Sequence, residues 1–310
     1  MKKSILFTFV LCLLSQWSVA QAPKWVEKAK RSVFSIVTYD KDDKIQNTGN
    51  GFFVTEDGVA LSDYSLFKGA QRAVIINSEG EKMPVECILG VNDMYDIIKF
   101  RVGITVKKVP ALQVAALAPA VGAEVYLLPY STQKGGNMTR GKVKKVDNIG
   151  GDKYHYYTLD MVLKDKMVSC PVTTADGKVF GVAQKSSGQD TASISYAAGA
   201  AFAMSQNISA LALSDPALNA IGIKKGLPED EDQALVYLFI ASTQSTPEAY
   251  AIALDDFIKT FPNSADGYLR RAGNYVFADK DENHMDKAAA DVEPALKVAE
   301  KKDVTYNNIA

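Results

Sequence analysis

Ser169 and Cys170 stand side by side in Lys166-Met167-Val168-Ser169-Cys170-Pro171, and either could serve as a nucleophile. Cys170 is the stronger candidate, because a thiolate is intrinsically nucleophilic. Attack on a carbonyl also needs a base, and donors aimed at the developing oxyanion. The two histidines of the chain, His155 and His284, are poorly placed for that task. His155 lies in the strand-like run Tyr154-His155-Tyr156-Tyr157, and His284 in a loop between helical segments. Lys164 and Lys166 are the bases nearest in sequence to the Ser169-Cys170 pair.

Other constellations fall short of chemistry. Gly136 to Val143 nearly spells a phosphate-binding loop, but valine replaces the final Ser/Thr and a strand pattern follows where a helix should start. Asp279, Asp281 and Asn283 resemble the start of a calcium loop, yet His284 and Ala290 take the places of its glycine and glutamate. Two distant histidines and isolated cysteines make no zinc site. No cofactor and no metal is expected. A formal charge of −1 gives nucleic acid nothing to bind.

The elements that must position these residues come in two textures. Up to about residue 203 the chain reads as short strands separated by Gly, Asp and Asn turns. The candidates are 32–39, 51–54, 59–61, 72–76, 85–89, 97–102, 124–128, 141–146, 154–159, 179–183 and 194–197. This spacing fits a sandwich or barrels. A helix over Ala203–Leu213 closes the region. Residues 214–229 form a linker, most clearly over Lys224–Glu231, and the texture changes from Asp230. Helical periodicity follows over 233–243, 247–261, 265–278 and 285–301, with Thr246 and Pro247 as cap and first turn.

Tyr268, Ala272 and Tyr275 share one helical face, and Ala288, Val292 and Ala295 form the matching stripe. Tyr306 to Ala310 repeats the pattern of Tyr268 to Ala272 after 38 residues. This looks like tetratricopeptide repeats, whose unit is a helix pair of roughly 34 residues. The match departs from that period by a few residues, and the natural chain is expected to continue with further repeats.

The N-terminus reads as an export signal. Lys2 and Lys3 precede an apolar run from Ser4 to Leu14, and Ser18-Val19-Ala20 offers a cleavage site before Gln21. The run is shorter than the roughly 20 residues of a membrane span. Cleavage removes two lysines and no acid, taking the formal charge from −1 to −3. Cys87 and Cys170 then remain, and are expected to behave as small buried hydrophobes, not as a disulfide framework.

Three segments in order carry a wider resemblance. Gly58–Ala70 is similar to a strand ending Leu-Thr-Asn-Asn-His-Val-Val-x-Gly-Ala. Gly90–Val102 is similar to Gly-x-Asp-x-x-x-Asp-Leu-Ala-x-Leu-Lys-Val. Asp160–Pro171, with the Asp176-Gly177 turn beyond, is similar to Asp-Ala-x-Ile-x-x-Gly-Asn-Ser-Gly-Gly-Pro. Residues 21–213 thus resemble the trypsin-like serine proteases, in particular the bacterial high-temperature-requirement group. The resemblance implies an all-β double six-stranded barrel, followed here by an all-α helical-repeat domain over 230–310.

It also implies that the chemistry is gone. The family's histidine falls on Ser65, its aspartate on the retained Asp96, and its serine on Val168. The glycines of the oxyanion loop fall on Lys166 and Ser169. Relatives bind substrate as an added strand, and here that edge is Ala183, Gln184 and Lys185. Such capture needs backbone groups and no triad. The expectation is a catalytically inactive homologue, exported to the periplasm or envelope of a bacterium, that binds a protein or peptide. One alternative is a divergent peptidase using Cys170 or Ser169. Another is an architectural barrel that presents the helices.

Overall fold

The computed structural model describes residues 23–132, 138–185, 194–277 and 283–299. The export signal, Gly136 and Asn137, Asp279 and Asp281, and Tyr306–Ala310 lie outside the described residues.

Alternating apolar residues close the first barrel. Strand β1 (Val33–Tyr39) turns Phe34 and Ile36 inward, where Phe34 packs against Phe53 with ring centroids 4.7 Å apart. It is joined by β2 (Ile45–Phe53), β3 (Val59–Ser62), β4 (Arg72–Ile76), β5 (Lys82–Asn92) and β6 (Ile97–Val102). These strands pair antiparallel in the closed order β1-β2-β3-β6-β5-β4. The Asp57-Gly58 turn between β2 and β3 needs glycine, since Gly58 has φ +97°.

The second barrel contains β7 (Glu124–Leu127), β8 (Thr139–Ile149), β9 (Tyr154–Asp160), β10 (Pro171–Thr173), β11 (Val179–Gln184) and β12 (Ile194–Gly199). Its closed antiparallel order is β10-β11-β12-β9-β8-β7. Inward residues such as Val125, Tyr157, Leu159, Val172 and Val182 fill it. Each contributes roughly 1.5–3 kcal/mol on burial. Only three residues long, β10 had no pattern by which to be recognised in advance. The two barrels meet through Phe52, Leu61 and Ile97, which belong to the second barrel's core.

Two short helices flank the strands, α1 (Trp25–Lys30) and α2 (Tyr64–Phe67). The helix expected over Ala203–Leu213 is instead α3 (Ala200–Met204), and a 3₁₀ turn at Ala212–Ser214 follows. The reason is local. The Ser205 hydroxyl and the Gln206 amide both donate to the Phe202 carbonyl, at 2.8 and 2.9 Å, so the helix ends there.

Residues 214–229 are packed onto the first barrel. Helix α4 (Pro216–Asn219) is capped by Asp215, and Leu218, Ile221 and Ile223 enter that barrel's core. Ile88 donates to Lys224 O at 2.8 Å and accepts from Gly226 N at 2.7 Å, so this stretch lies along β5. Four longer helices follow: α5 (Glu231–Gln244), α6 (Pro247–Thr260), α7 (Ala265–Phe277) and α8 (His284–Val298). Thr246 caps α6 by accepting from Ala249 N at 3.3 Å. Tyr237 and Leu238 of α5, with Leu254 and Phe257 of α6, share one apolar core with Phe34, Ile75 and Phe100. Among the described residues, no helix is long and apolar enough to cross a membrane.

Candidate functional site

The seam between the barrels gathers most of the singled-out residues. β3 ends at Ser62, Asp63 follows, and α2 carries Ser65. The turn between β5 and β6 carries Tyr95 and Asp96. The segment between β9 and β10 holds a 3₁₀ turn, Asp165–Met167, then Val168, Ser169 and Cys170. β11 brings Ala183 and Gln184, with Lys185 just beyond its end.

Ser65 and Asp96 are brought together. The Ser65 backbone N–H donates to Asp96 Oδ1 at 2.6 Å and its hydroxyl to Oδ2 at 2.9 Å. Among the described residues, the non-glycine positions with positive φ are Asp43, Asp96 and Ser169, at 59°, 50° and 63°. Two of these three lie in the seam. A non-glycine residue in that region costs on the order of 1–3 kcal/mol and persists where its surroundings enforce it. At Ser169 the enforcement is visible. Its hydroxyl donates to Asp63 Oδ2 at 2.6 Å, and its N–H donates to Ala183 O at 2.8 Å.

Asp63 is almost fully buried, and burial pushes its carboxyl up to about 8 despite the Ser169 hydrogen bond. Its Oδ1 has no hydrogen-bond partner. Nothing in the local pattern marks Asp63 as a site residue. The one signal is that the resembling segment has asparagine there, so an acid replaces an amide.

Further cross-links tie the barrels. The Asn50 amide donates to Lys166 O at 3.2 Å and Val168 O at 2.9 Å. The Gln184 amide donates to Tyr95 O at 2.7 Å and accepts from the Tyr156 hydroxyl at 2.9 Å. Lys185 pairs with Asp165 at 2.5 Å. Asn50 and Tyr156 carried no sequence signal, because ordinary polar side chains acquire these roles only through contacts distant in sequence.

The chemical capacity of this arrangement is small. Val168 is half-buried, and its N–H turns back to Asp165 O at 3.3 Å, away from any incoming oxyanion. Lys166 sits inside the 3₁₀ turn. Cys170 is fully buried, and burial pushes its thiol up to about 12. Cys87, far off on β5, is also buried and pushed up to about 11. His155 is engaged by Asn148, its partner in the β8–β9 pairing, at 3.2 Å. His284 opens α8. Gly141 to Val143 lie inside β8, in strand conformation. Among the described residues, no three His, Cys, Asp or Glu side chains cluster as a metal ion would need.

The expected peptide edge is uneven. Ala183 is buried, and both of its backbone groups are taken: its N–H donates to Cys170 O at 2.9 Å and its carbonyl accepts from Ser169. Gln184 is half-buried and pairs with Tyr196 of β12. Lys185 alone of the three is exposed.

Residues 49–182 match the family model described as a trypsin-like peptidase domain. The span runs from Gly49 in β2 to Val182 in β11, across most of both barrels. No curated protein matches the sequence. The active form of the Rv3671c protease from M. tuberculosis is similar in structure, at 20% identity and a TM-score of 0.48, over 59% of this chain and 82% of that one. Residues 49–182, which carry most of the strands of the two closed antiparallel barrels, are thus similar to a trypsin-like peptidase domain.

Proposed function

We propose that this chain is a non-catalytic relative of the trypsin-like peptidases that captures a protein or peptide in the bacterial envelope. One observation carries the reading. Val168 stands at the nucleophile's place with its N–H committed to Asp165 O, while Ser65 stands at the base's place, bound to Asp96. Acyl transfer needs a nucleophile, a base and a free oxyanion donor, and these residues supply none of them. Ser169 and Cys170, the nucleophiles of the alternative peptidase, are both buried. Peptide capture asks only for open backbone groups, and Lys185, just beyond the end of β11, is exposed. In this reading helices α5 to α8 are tetratricopeptide-like repeats that add a second binding surface. Export follows from the N-terminal signal. The test is incubation of purified protein with casein and a peptide library. No cleavage is expected. Cleavage abolished by Cys170→Ala or Ser169→Ala would overturn the reading.

The architectural alternative has one observation of its own: α5 and α6 share a core with the first barrel. On that reading, a chain lacking residues 21–213 would lose support for those helices, whereas substitutions along the Lys185 edge would leave partner binding intact.

A further inference from the structure

We propose that the cavity between the first barrel and α6 binds a small carboxylate with an apolar body. The anionic end of that ligand takes the place that Glu229 now fills beside Lys99. The site lies apart from the seam and from the Lys185 edge, so the inference does not rest on peptide capture.

The cavity follows from how the chain wraps the barrel. The stretch after α4 runs along β5, and α6 packs against the same barrel. Between them and β3, β5 and β6 a cavity of about 290 Å³ is left. Sites for small organic ligands begin at roughly 300 Å³. Val59, Leu89, Met204, Leu227 and Pro228 give it apolar walls.

Lys99 is the group that asks for an anion. Its side chain is only 4% exposed and lines the cavity. An ammonium has three protons to donate. One goes to the Met204 carbonyl at 3.1 Å and one to the Asn207 side-chain oxygen. The third is left with Glu229 Oε1 at 3.5 Å. That is well beyond the roughly 2.7–2.9 Å of a charge-assisted hydrogen bond. The burial of a charge is offset only when its partners sit in good geometry.

Glu229 is a stand-in that can leave. Its side chain is 74% exposed, and Oε2 accepts from the Asn207 amide at a long 3.3 Å. An exposed carboxylate in such contacts loses little by returning to water. With Glu229 outside, Lys99, Arg101, Lys224 and Lys259 face Glu86 and Asp256, four cations to two acids. Asp256 is already bound by Lys224 at 2.7 Å. Arg101 is bound at 2.7 Å by Asp57, which is not part of the lining. Glu229 and Lys259 are both exposed and mark the mouth. A cationic ligand would meet the Lys99 ammonium, and a wholly polar anion would leave the apolar walls without a partner.

The experiment titrates full-length protein with hexanoate, with hexylamine as comparator, followed by amide NMR. Hexanoate should shift the amides of Leu227 and Glu229 saturably, and hexylamine should not. Glu229→Gln removes the stand-in and should tighten hexanoate roughly tenfold, or about 1.4 kcal/mol. Asp232→Asn removes the same charge from the exposed start of α5 and should leave the affinity unchanged. Lys99→Met should abolish saturable binding. Equal response to the two ligands, unchanged or weaker binding in Glu229→Gln, or equal tightening in Asp232→Asn overturns the inference. Should Lys99→Met not fold, the comparison of Glu229→Gln with Asp232→Asn still decides. A tripeptide ending in leucine, tested beside its C-terminal amide, separates the two sources of such a carboxylate. If the free-acid peptide binds more tightly than hexanoate, the site takes a peptide terminus; if less tightly, it takes a free acid, and either result supports the inference. Equal binding of the peptide acid and its amide counts against it.

Discussion

Ser169 Oγ donates to Asp63 Oδ2 at 2.6 Å, joining the β9–β10 segment of one barrel to the end of β3 in the other. The bond stands beside Ser65 and Val168, where the resemblance puts the base and the nucleophile. Its cost is a buried carboxyl with one oxygen unpaired.

That carboxyl makes stability pH-dependent. Asp63 titrates near 8 in the folded protein and near 3.8 when unfolded. Its contribution is fully present below about pH 4 and is lost as pH rises to about 8, because the unfolded chain ionises first. Each pH unit across that window costs up to about 1.4 kcal/mol. The groups that act on it are Ser169, which lowers its pKa, and the Asp96 charge, which raises it; Cys170 and Tyr156 in turn feel Asp63. Asp63→Asn keeps the shape and an acceptor for Ser169 but cannot ionise. The variant should melt higher than wild type at pH 8, and the difference should shrink as pH falls toward 4. Parallel melting curves at every pH would contradict this.

Both cysteines should be chemically silent in the folded protein. Burial pushes Cys170 up to about 12 and Cys87 up to about 11, so neither offers a thiolate at pH 8. A thiol-directed chromogenic reagent should find neither until denaturant is added. Rapid labelling of Cys170 in native protein would revive the peptidase alternative.

How much of this was legible beforehand differs by scale. Strands such as β1 follow from alternation, as in Phe34 and Ile36, because a half-buried strand must alternate, whereas the three-residue β10 is too short to show a pattern. Helix α6 follows from Thr246, Pro247 and the spacing of Tyr250, Leu254 and Phe257. Val168 and Ser65 could be placed only through the resemblance, since neither residue type signals a site. The Asp63–Ser169 bond spans 106 residues and leaves no local trace. The helix expected over Ala203–Leu213 outruns α3 because the apolar spacing at Ile208, Leu211 and Ala212 continues past Ser205, where side chains end the helix. Residues 214–229 look polar enough for a linker, yet Leu218, Ile221 and Ile223 suffice to anchor them.

Restoring the missing side chains should not restore chemistry. A Ser65→His, Val168→Ser double variant supplies base and nucleophile beside the retained Asp96. The N–H of residue 168 still points to Asp165 O, and Asn50 still holds the carbonyls of residues 166 and 168. Losing one oxyanion donor costs roughly 10²–10³ in rate. Turnover of a fluorogenic peptide should therefore stay at background. Adding Lys166→Gly and Ser169→Gly, which free the loop backbone, is the combination from which a gain is expected. Robust turnover by the double variant alone would show that the loop re-forms unaided.

Arg271 holds the last helices together. From α7 it reaches Asp291 of α8 through two bonds, Nε to Oδ2 at 2.9 Å and Nη2 to Oδ1 at 2.6 Å, and Asp255 of α6 through Nη1 at 2.7 Å. Both partners hold its guanidinium well above the usual arginine range. The Asp291 side chain is 6% exposed, so removing the arginine strands a buried charge. Arg271→Met should destabilise the helical region by roughly 3 kcal/mol, the low end for breaking a buried pair. Arg271→Lys should recover only part of this, because a point charge cannot make the fork. The loss should be local, since α7 and α8 contribute little to the barrel cores. Hydrogen exchange should accelerate in α7 and α8 and stay unchanged in β1 to β12. The decisive comparison is Arg271→Met with Asp291→Leu. If the stranded carboxylate causes the damage, the double variant is more stable than Arg271→Met alone. If the double variant is less stable, the arginine acts through its packing and the pair is not the clamp.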